Sequence, residues 1–202
     1  MRHRRHSRTL GRAPSHRRSL LRNLASALFI TERPDSTLDV NPPKVKGRII
    51  TTVAKAKEVR PLVEKCITIA KKGLAAQQAA AEFGTEAERN SDAWKKWREG
   101  PSYSKWSVAM APAVTARRRL IAMLCDKQAV DILFNELAGR FEDRPGGYTR
   151  ILRLATPRLG DNGPRAILEF VGRNDRVVKR SEKPDFGGAE PDSTDLEAGA
   201  AQ

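Results

Sequence analysis

The first regular pattern of apolar positions begins some twenty residues into the chain. Its members recur at helical spacing: Leu20, Leu21, Leu24, Ala25, Leu28 and Phe29. The opposite side of the helical wheel carries Ser19, Asn23 and Ser26, which gives the segment one apolar and one polar face. Ser15 precedes the pattern and is a preferred residue type at a helix N-cap. The pattern predicts a helix over residues 15–31.

A break in the periodicity separates this helix from the next elements. Residues 33–47 contain three Pro residues and no regular apolar spacing, which predicts a loop. Residues 48–51 follow as a short run with β-branched side chains and predict a strand. Thr52 then stands where it can cap a following helix.

A longer apolar stripe follows the predicted strand. Its members are Ala56, Val59, Leu62, Val63, Cys66 and Ala70. This spacing predicts a helix over residues 53–72, with Gly73 as its C-terminal stop. Pro61 lies inside the helix and is expected to kink or divide it.

The composition changes over residues 74–115, where an Ala-rich stretch gives way to a charged one. We expect a helical excursion over residues 75–97, followed by a loop through Pro101 and Pro112. The segment carries all three Trp residues of the chain, Trp94, Trp97 and Trp106. Such aromatics form a satellite cluster under a long insertion or stack on nucleic-acid bases, and the first interpretation is favoured.

Helical spacing returns after residue 115, and two strands follow it. The apolar positions are Leu120, Leu124, Val130, Leu133, Phe134 and Leu137. Asp126 marks the expected break between two helices. Residues 148–155 and 166–171 are predicted strands of a hairpin with a long, turn-rich loop. The chain is therefore predicted to be an α+β protein with one compact domain over residues 15–180.

Both ends of the chain are charged, with opposite sign. Seven of the first eighteen residues are Arg, all three His lie there, and residues 1–14 lack the apolar side chains needed to fold alone. Residues 181–202 carry six acidic residues against one Lys and are predicted to be disordered. We therefore expect an extended basic arm before the domain and an acidic tail after it.

The formal net charge of +14 points to an anionic partner, because so large a charge costs self-repulsion. Nucleic acid is the commonest such partner, and a membrane surface is the rival. The apolar runs fall short of the ~20 residues that a spanning helix needs, and no signal peptide is recognisable. We therefore expect a cytoplasmic protein without a membrane partner.

The sequence lacks the motifs of an enzyme or a metal protein. It contains neither a P-loop nor a GxGxxG motif, and no nucleophile or carboxylate has a His partner outside the arm. Arg residues around the three His would repel a metal cation. Cys66 and Cys125 have neither disulfide nor zinc-ligand spacing, and both are expected to be core thiols. We predict no catalysis, no cofactor, no metal and no small-molecule substrate.

Basic clusters recur along the body of the protein. Beyond the arm they are Lys46 with Arg48, Lys55 with Lys57, Arg117, Arg118 and Arg119, and Arg150 with Arg153. Arg is suited to RNA because its planar guanidinium binds phosphate through two hydrogen bonds and stacks on bases. The clusters together predict several contacts with a nucleic acid, and an unfolded Arg-rich arm is expected to order when phosphates neutralise it.

Ordered sequence blocks resemble one protein family. They are "MRHR", "SHRRSLLRNLASALF", "RIITTVAKAKEVRPLVEKCITIAKKG", "ARRR", "FNELAGRFEDRPGGYTRILRL" and "AILEFV". The blocks resemble the seventeenth protein of the bacterial large ribosomal subunit. This resemblance implies a small three-stranded mixed sheet packed against helices, with no catalysis and no cofactor. It also implies large-subunit ribosomal RNA as the partner, with neighbouring ribosomal proteins near the peptide-exit side.

The resemblance assigns RNA-binding residues position by position. In the arm they are Arg2, His3, Arg4, Arg5, Arg8 and Arg12, and at the first helix they are His16, Arg17, Arg18, Arg22 and Asn23. Further along they are Lys55, Lys57, Arg60, Tyr148 and Arg150. The insertions at residues 34–47 and 74–115 and the acidic tail have no counterpart in the family. The leading hypothesis is a structural ribosomal protein, and the alternative is a free regulator that binds DNA or messenger RNA.

Overall fold

The computed structural model describes residues 7–33 and 42–172. The elements in chain order are α1 (Pro14–Ile30), β1 (Arg48–Thr52), α2 (Val53–Ala81), α3 (Asp92–Glu99), α4 (Pro101–Leu124), α5 (Lys127–Ile132), a π-helical turn (Leu133–Leu137), α6 (Ala138–Arg140), β2 (Thr149–Arg153) and β3 (Arg165–Phe170). The predictions for Arg2, His3, Arg4 and Arg5, for the start of the first insertion and for the acidic tail lie outside the described residues.

The sheet has three strands in the order β1-β3-β2, with β3 at its centre. The three-stranded sheet and the α+β class are confirmed, but the mixed pairing implied by the resemblance is wrong. Both pairings are antiparallel, because β2 and β3 form a hairpin and β1 runs antiparallel along the other side of β3. Helices α1 and α2 contact this sheet on one face.

The core lies between that sheet face and the helices. Ala166, Leu168 and Phe170 alternate along β3 and are buried against them. Phe170 stacks on Phe29 of α1, with ring centroids 5.9 Å apart. The long helix α2 contacts all three strands and thereby fixes its first turns beside the sheet.

Helix α2 continues well past its predicted end. It runs through Gly73 to Ala81, so the prediction that Gly73 ends it is wrong. A Cβ atom at Gly73 would lie 2.8 Å from Cε1 of Phe134 and 3.0 Å from Cβ of Ala116. The neighbouring residues therefore leave no room for a larger side chain, which explains a glycine within the helix. The helix is not divided at Pro61 either, since buried residues on both sides of it pack into the core.

The segment predicted as a helix and a loop is two helices. Within the predicted helix over residues 75–97, the end of α2 and most of α3 are helical and a connection over residues 82–91 separates them. The predicted loop through Pro101 and Pro112 is wrong, because α4 occupies those residues. Pro101 begins α4, where its missing N–H costs no hydrogen bond, and Pro112 is accommodated inside the helix. The predicted break at Asp126 is confirmed, and its carboxylate accepts a hydrogen bond from the backbone N–H of Ala129 at 3.2 Å.

The N-cap predicted at Ser15 is wrong, and the one predicted at Thr52 is correct in position only. Helix α1 begins at Pro14, after Ala13, so Ser15 lies inside the helix. Proline suits the first helical position because its fixed φ angle is helical and it has no N–H group that needs a capping partner. Thr52 does occupy the N-cap position of α2, but its side chain makes no capping hydrogen bond.

The predicted aromatic satellite cluster is confirmed. The ring centroid of Trp97 lies 5.3 Å from that of Tyr103 and 5.6 Å from that of Trp106. The indole N–H of Trp97 also donates to the carbonyl oxygen of Phe83 at 3.0 Å. Trp94 lies outside this ring cluster, under the guanidinium of Arg98. These contacts join α3 to α4 and to the end of α2.

The two cysteines differ in their surroundings. Cys66 lies in the core, as predicted, and burial raises the pKa of its thiol to about 12. Cys125 is exposed, so the prediction that it is a core thiol is wrong. It ends α4 in the left-handed conformation, with φ of 57°, and this reversal turns its side chain away from the buried stripe of that helix.

Candidate nucleic-acid interface

A basic cleft lies between the first turns of α2 and the edge strand β2. Its cationic lining residues are Lys57, Arg60, Arg150 and Arg153. The cleft has a volume of about 520 Å³, and Val53, Thr149 and Ile151 complete its walls. The chain brings these cations together because α2 packs on the sheet directly behind β2. We call this arrangement the basic cleft.

Two carboxylates hold two of the four cations in place. Glu64 accepts from the Arg60 guanidinium at 3.0 Å and also from the Thr149 hydroxyl at 3.0 Å. Glu169 on β3 accepts from Arg150 on one side and pairs with Arg48 on the other at 3.2 Å. The side chain of Glu169 is only 4% exposed, so its charge lies beneath the two guanidinium groups. The guanidinium groups of Arg48 and Arg150 are therefore more exposed to solvent than the carboxylate that they share.

The other two cations of the cleft have no carboxylate partner within the described part of the chain. Lys57 and Arg153 form neither an ion pair nor a side-chain hydrogen bond among residues 7–33 and 42–172. Arg153 belongs to one of the basic clusters that the sequence predicts to contact nucleic acid, but it is not among the residues that the family resemblance assigns to RNA. The sequence does not show that Arg153 and Lys57 line the same cleft, because the two residues are far apart in the chain.

The described end of the N-terminal arm is attached beside the cleft. The Arg8 guanidinium pairs with Glu58 of α2 at 2.8 Å, one residue from Lys57. The backbone turns at Leu10 and Gly11, which have φ angles of 54° and 63°. The arm is therefore not extended throughout.

The predicted residues of α1 form a separate surface. His16, Arg18 and Asn23 are exposed, while Arg17 and Arg22 are half-buried. The Arg22 guanidinium approaches the carbonyl oxygen of Ala122 at 3.5 Å. This surface borders a depression of about 600 Å³ between α1 and the α4–α5 turn.

Other predicted RNA-binding residues contact groups within the protein. Tyr148 is 2% exposed, packs on Phe141 and lies under the Lys71 ammonium. Arg117 pairs with Asp131 and lies over a buried aromatic ring. The assignment of both residues to RNA stays a prediction. Lys55 is half-buried, Arg12 is half-buried near the turn of the arm, and Arg118 and Arg119 are exposed on α4.

The described residues contain neither a metal cluster nor a membrane span. No group of three or more His, Cys, Asp or Glu residues within residues 7–33 and 42–172 is arranged to bind a metal ion. Of the helices in that part of the chain, none is both long enough and apolar enough to cross a bilayer. Cationic side chains are therefore the chemistry that the cleft offers, and they suit phosphate oxygens.

Comparison with known proteins places the chain in a family. Residues 20–171 match the family model described as "Ribosomal protein L17". The chain is 59% identical over 193 residues to the large ribosomal subunit protein bL17 of Rhodopirellula baltica, which covers 96% of this chain and 91% of that protein. It is 36% identical over 183 residues to the bL17 protein of Koribacter versatilis, or 91% of this chain and 80% of that one. The chain therefore belongs to the ribosomal protein L17 family, as its sequence blocks indicate.

Proposed function

We propose that this protein is a structural component of the large ribosomal subunit that binds ribosomal RNA through its basic cleft and N-terminal arm. The observation that carries this proposal is the convergence of Lys57 and Arg60 from α2 with Arg153 from β2. Arg150 also lines the cleft, and its guanidinium pairs with Glu169 on the other face of the sheet. The arm is attached at Glu58, one residue from Lys57 of the cleft.

The cleft supplies the two kinds of contact that an RNA backbone takes. Guanidinium groups bind phosphate oxygens through two parallel hydrogen bonds, and Lys57 adds a mobile point charge. Glu64 and Glu169 keep Arg60 and Arg150 oriented before binding, which reduces the entropy lost on association. Val53 and Ile151 line the same cleft and offer apolar contact to the sugars between phosphates.

The names of the relatives support a structural role in the bacterial ribosome rather than catalysis. The relatives from Rhodopirellula baltica and Koribacter versatilis are both called large ribosomal subunit proteins. A structural ribosomal protein acts in the cytoplasm and turns over no substrate, which agrees with the expectations from the sequence. The cleft then holds the protein at one place on the RNA. It also holds neighbouring RNA strands in a fixed relative position.

The proposal also includes contacts with neighbouring ribosomal proteins. The resemblance implies a position towards the peptide-exit side, beside other large-subunit proteins. The helices α3 and α4 lie away from the basic cleft and supply surface for such neighbours. Crosslinking within intact large subunits, followed by identification of the linked peptides, tests which proteins lie there.

Cosedimentation tests the main proposal against a free regulator of DNA or messenger RNA. A ribosomal component tracks the large subunit at one copy per particle, whereas a regulator remains mostly in the unbound fraction. A photo-crosslinking amino acid at position 153 then tests the cleft itself. Crosslinks to ribosomal RNA are the expected result. Exclusive crosslinks to protein would contradict the assignment of the cleft to RNA.

A further inference from the structure

An apolar groove follows the seam between α2 and α4. Ile69 and Gly73 line it from α2, and Val108, Pro112 and Ala116 line it from α4. Its volume is about 450 Å³. A second depression of about 480 Å³ adjoins it around Phe83, Ala109 and the same Val108. The Val108 side chain separates the two and is 74% exposed. We call the two depressions together the seam groove.

The groove exists because both helices place small residues at the seam. Gly73 has no side chain, and a Cβ atom there would lie within 3.0 Å of Ala116 and of the Phe134 ring. Pro112 and the alanines at 109 and 111 leave the adjoining face of α4 shallow. The helices therefore meet at their backbones and leave an apolar surface open above the contact. Exposed apolar surface of this kind marks binding sites for proteins.

The charge around the groove has one sign. Residues 65–81 and 101–124 contain neither Asp nor Glu. Lys72, Lys105 and Arg119 lie in the lining of the two depressions and surround the apolar floor with cations. A bound segment is therefore favoured when it presents apolar side chains to the floor and carboxylates to the edges.

The groove is separate from the basic cleft. Lys57 in the cleft and Lys72 at the groove are fifteen residues apart on one helix. A rise of 1.5 Å per residue puts them about 22 Å apart along the axis of α2. Most of the side chains that line the first depression between its cations are aliphatic, which favours a protein over RNA bases at this part of the groove.

We propose that the seam groove binds an amphipathic segment of a neighbouring large-subunit protein. Apolar side chains of that segment pack on both sides of Val108, and its carboxylates pair with Lys72, Lys105 and Arg119. This inference rests on the proposed ribosomal function, since it requires a protein neighbour at a fixed position. It assigns the insertion at residues 74–115 a role that the family resemblance leaves open.

A matched pair of substitutions tests the groove. Val108→Asp introduces a carboxylate at the exposed centre of the groove, whereas Val114→Asp makes the same change on α4 outside its lining, at a side chain that is 40% exposed. Each variant competes with the unmodified protein for incorporation during reconstitution of the large subunit. We expect Val108→Asp to lose competition by about tenfold and Val114→Asp to compete normally. Equal incorporation of both variants would overturn the proposal.

Two further measurements keep the outcome interpretable. Affinity for the isolated ribosomal RNA fragment should be unchanged in Val108→Asp; a matching loss there would assign the groove to RNA and overturn the proposal. A photo-crosslinker at position 108 in assembled subunits needs no disruptive change. We expect crosslinks to a protein peptide with carboxylates beside apolar residues. Crosslinks to RNA, or to residues 181–202 of this chain, would overturn the proposal. Crosslinks from position 153 test the RNA function separately.

Discussion

Neutralising the two cleft cations without carboxylate partners should weaken RNA binding in a way that depends on salt. The perturbation is the double substitution Lys57→Gln and Arg153→Gln. Both side chains line the cleft, and no ion pair within the described residues holds either one. Their charge is therefore available to phosphates, unlike that of Arg60 and Arg150, which also pair with carboxylates.

The magnitude follows from counterion release. Each phosphate contact contributes about 0.7–0.9 to the slope of log K against log salt concentration. Loss of two contacts should make the slope shallower by about 1.4–1.8. At 0.1 M monovalent salt, the same loss lowers the affinity by roughly 25- to 60-fold. This decrease corresponds to about 2–2.5 kcal/mol of binding free energy.

The assay is a titration of the ribosomal RNA fragment at several salt concentrations. Lys95→Gln with Lys96→Gln is the control, because it removes the same charge from exposed positions on α3. The control should change the slope little, since its charges are screened beyond a Debye length of about 10 Å. Equal losses for the two variants would refute the argument that the cleft makes specific phosphate contacts.

Three further predictions concern the arm, the thiols and the helix seam. Deleting residues 1–7 should leave the unfolding temperature unchanged, because α1 begins later, but should make the salt slope shallower by about 0.7–0.9 per lost phosphate contact; a lowered unfolding temperature would contradict this. Iodoacetamide at pH 8 should label Cys125 but not Cys66 in the folded protein, because burial raises the pKa of Cys66 to about 12 and leaves its thiol protonated; mass spectrometry distinguishes the two sites. Denaturant titration should show Gly73→Ala to be destabilising, since overpacking of about 1–3 kcal/mol exceeds a helical gain of about 0.5–1 kcal/mol, whereas Gly139→Ala, which meets no atom within 4 Å, should show only the gain.

Errors in the predicted elements concentrate where a neighbouring helix decides the local structure. Glycine is a residue type that often ends a helix, yet Gly73 lies inside α2. A residue without a side chain is needed there because Phe134 and Ala116 approach closely. Pro101 and Pro112 suggest a loop by propensity, but α4 packs along α2 and remains helical through both. Tertiary burial outweighs the local preference at these positions, because each helix gains an apolar partner along its length.

The sequence by itself determined the element types with strong periodicity, the basic character of the surface and the family. Apolar spacing is a local property, and ordered sequence blocks identify a family without coordinates. Only the tertiary structure decided which cations act together. Lys57 and Arg153 meet because α2 crosses behind β2, and Tyr148 is withdrawn from the surface because its ring completes the core beside Phe141. Such outcomes depend on contacts between residues distant in the chain, which no local pattern of charge or hydrophobicity encodes.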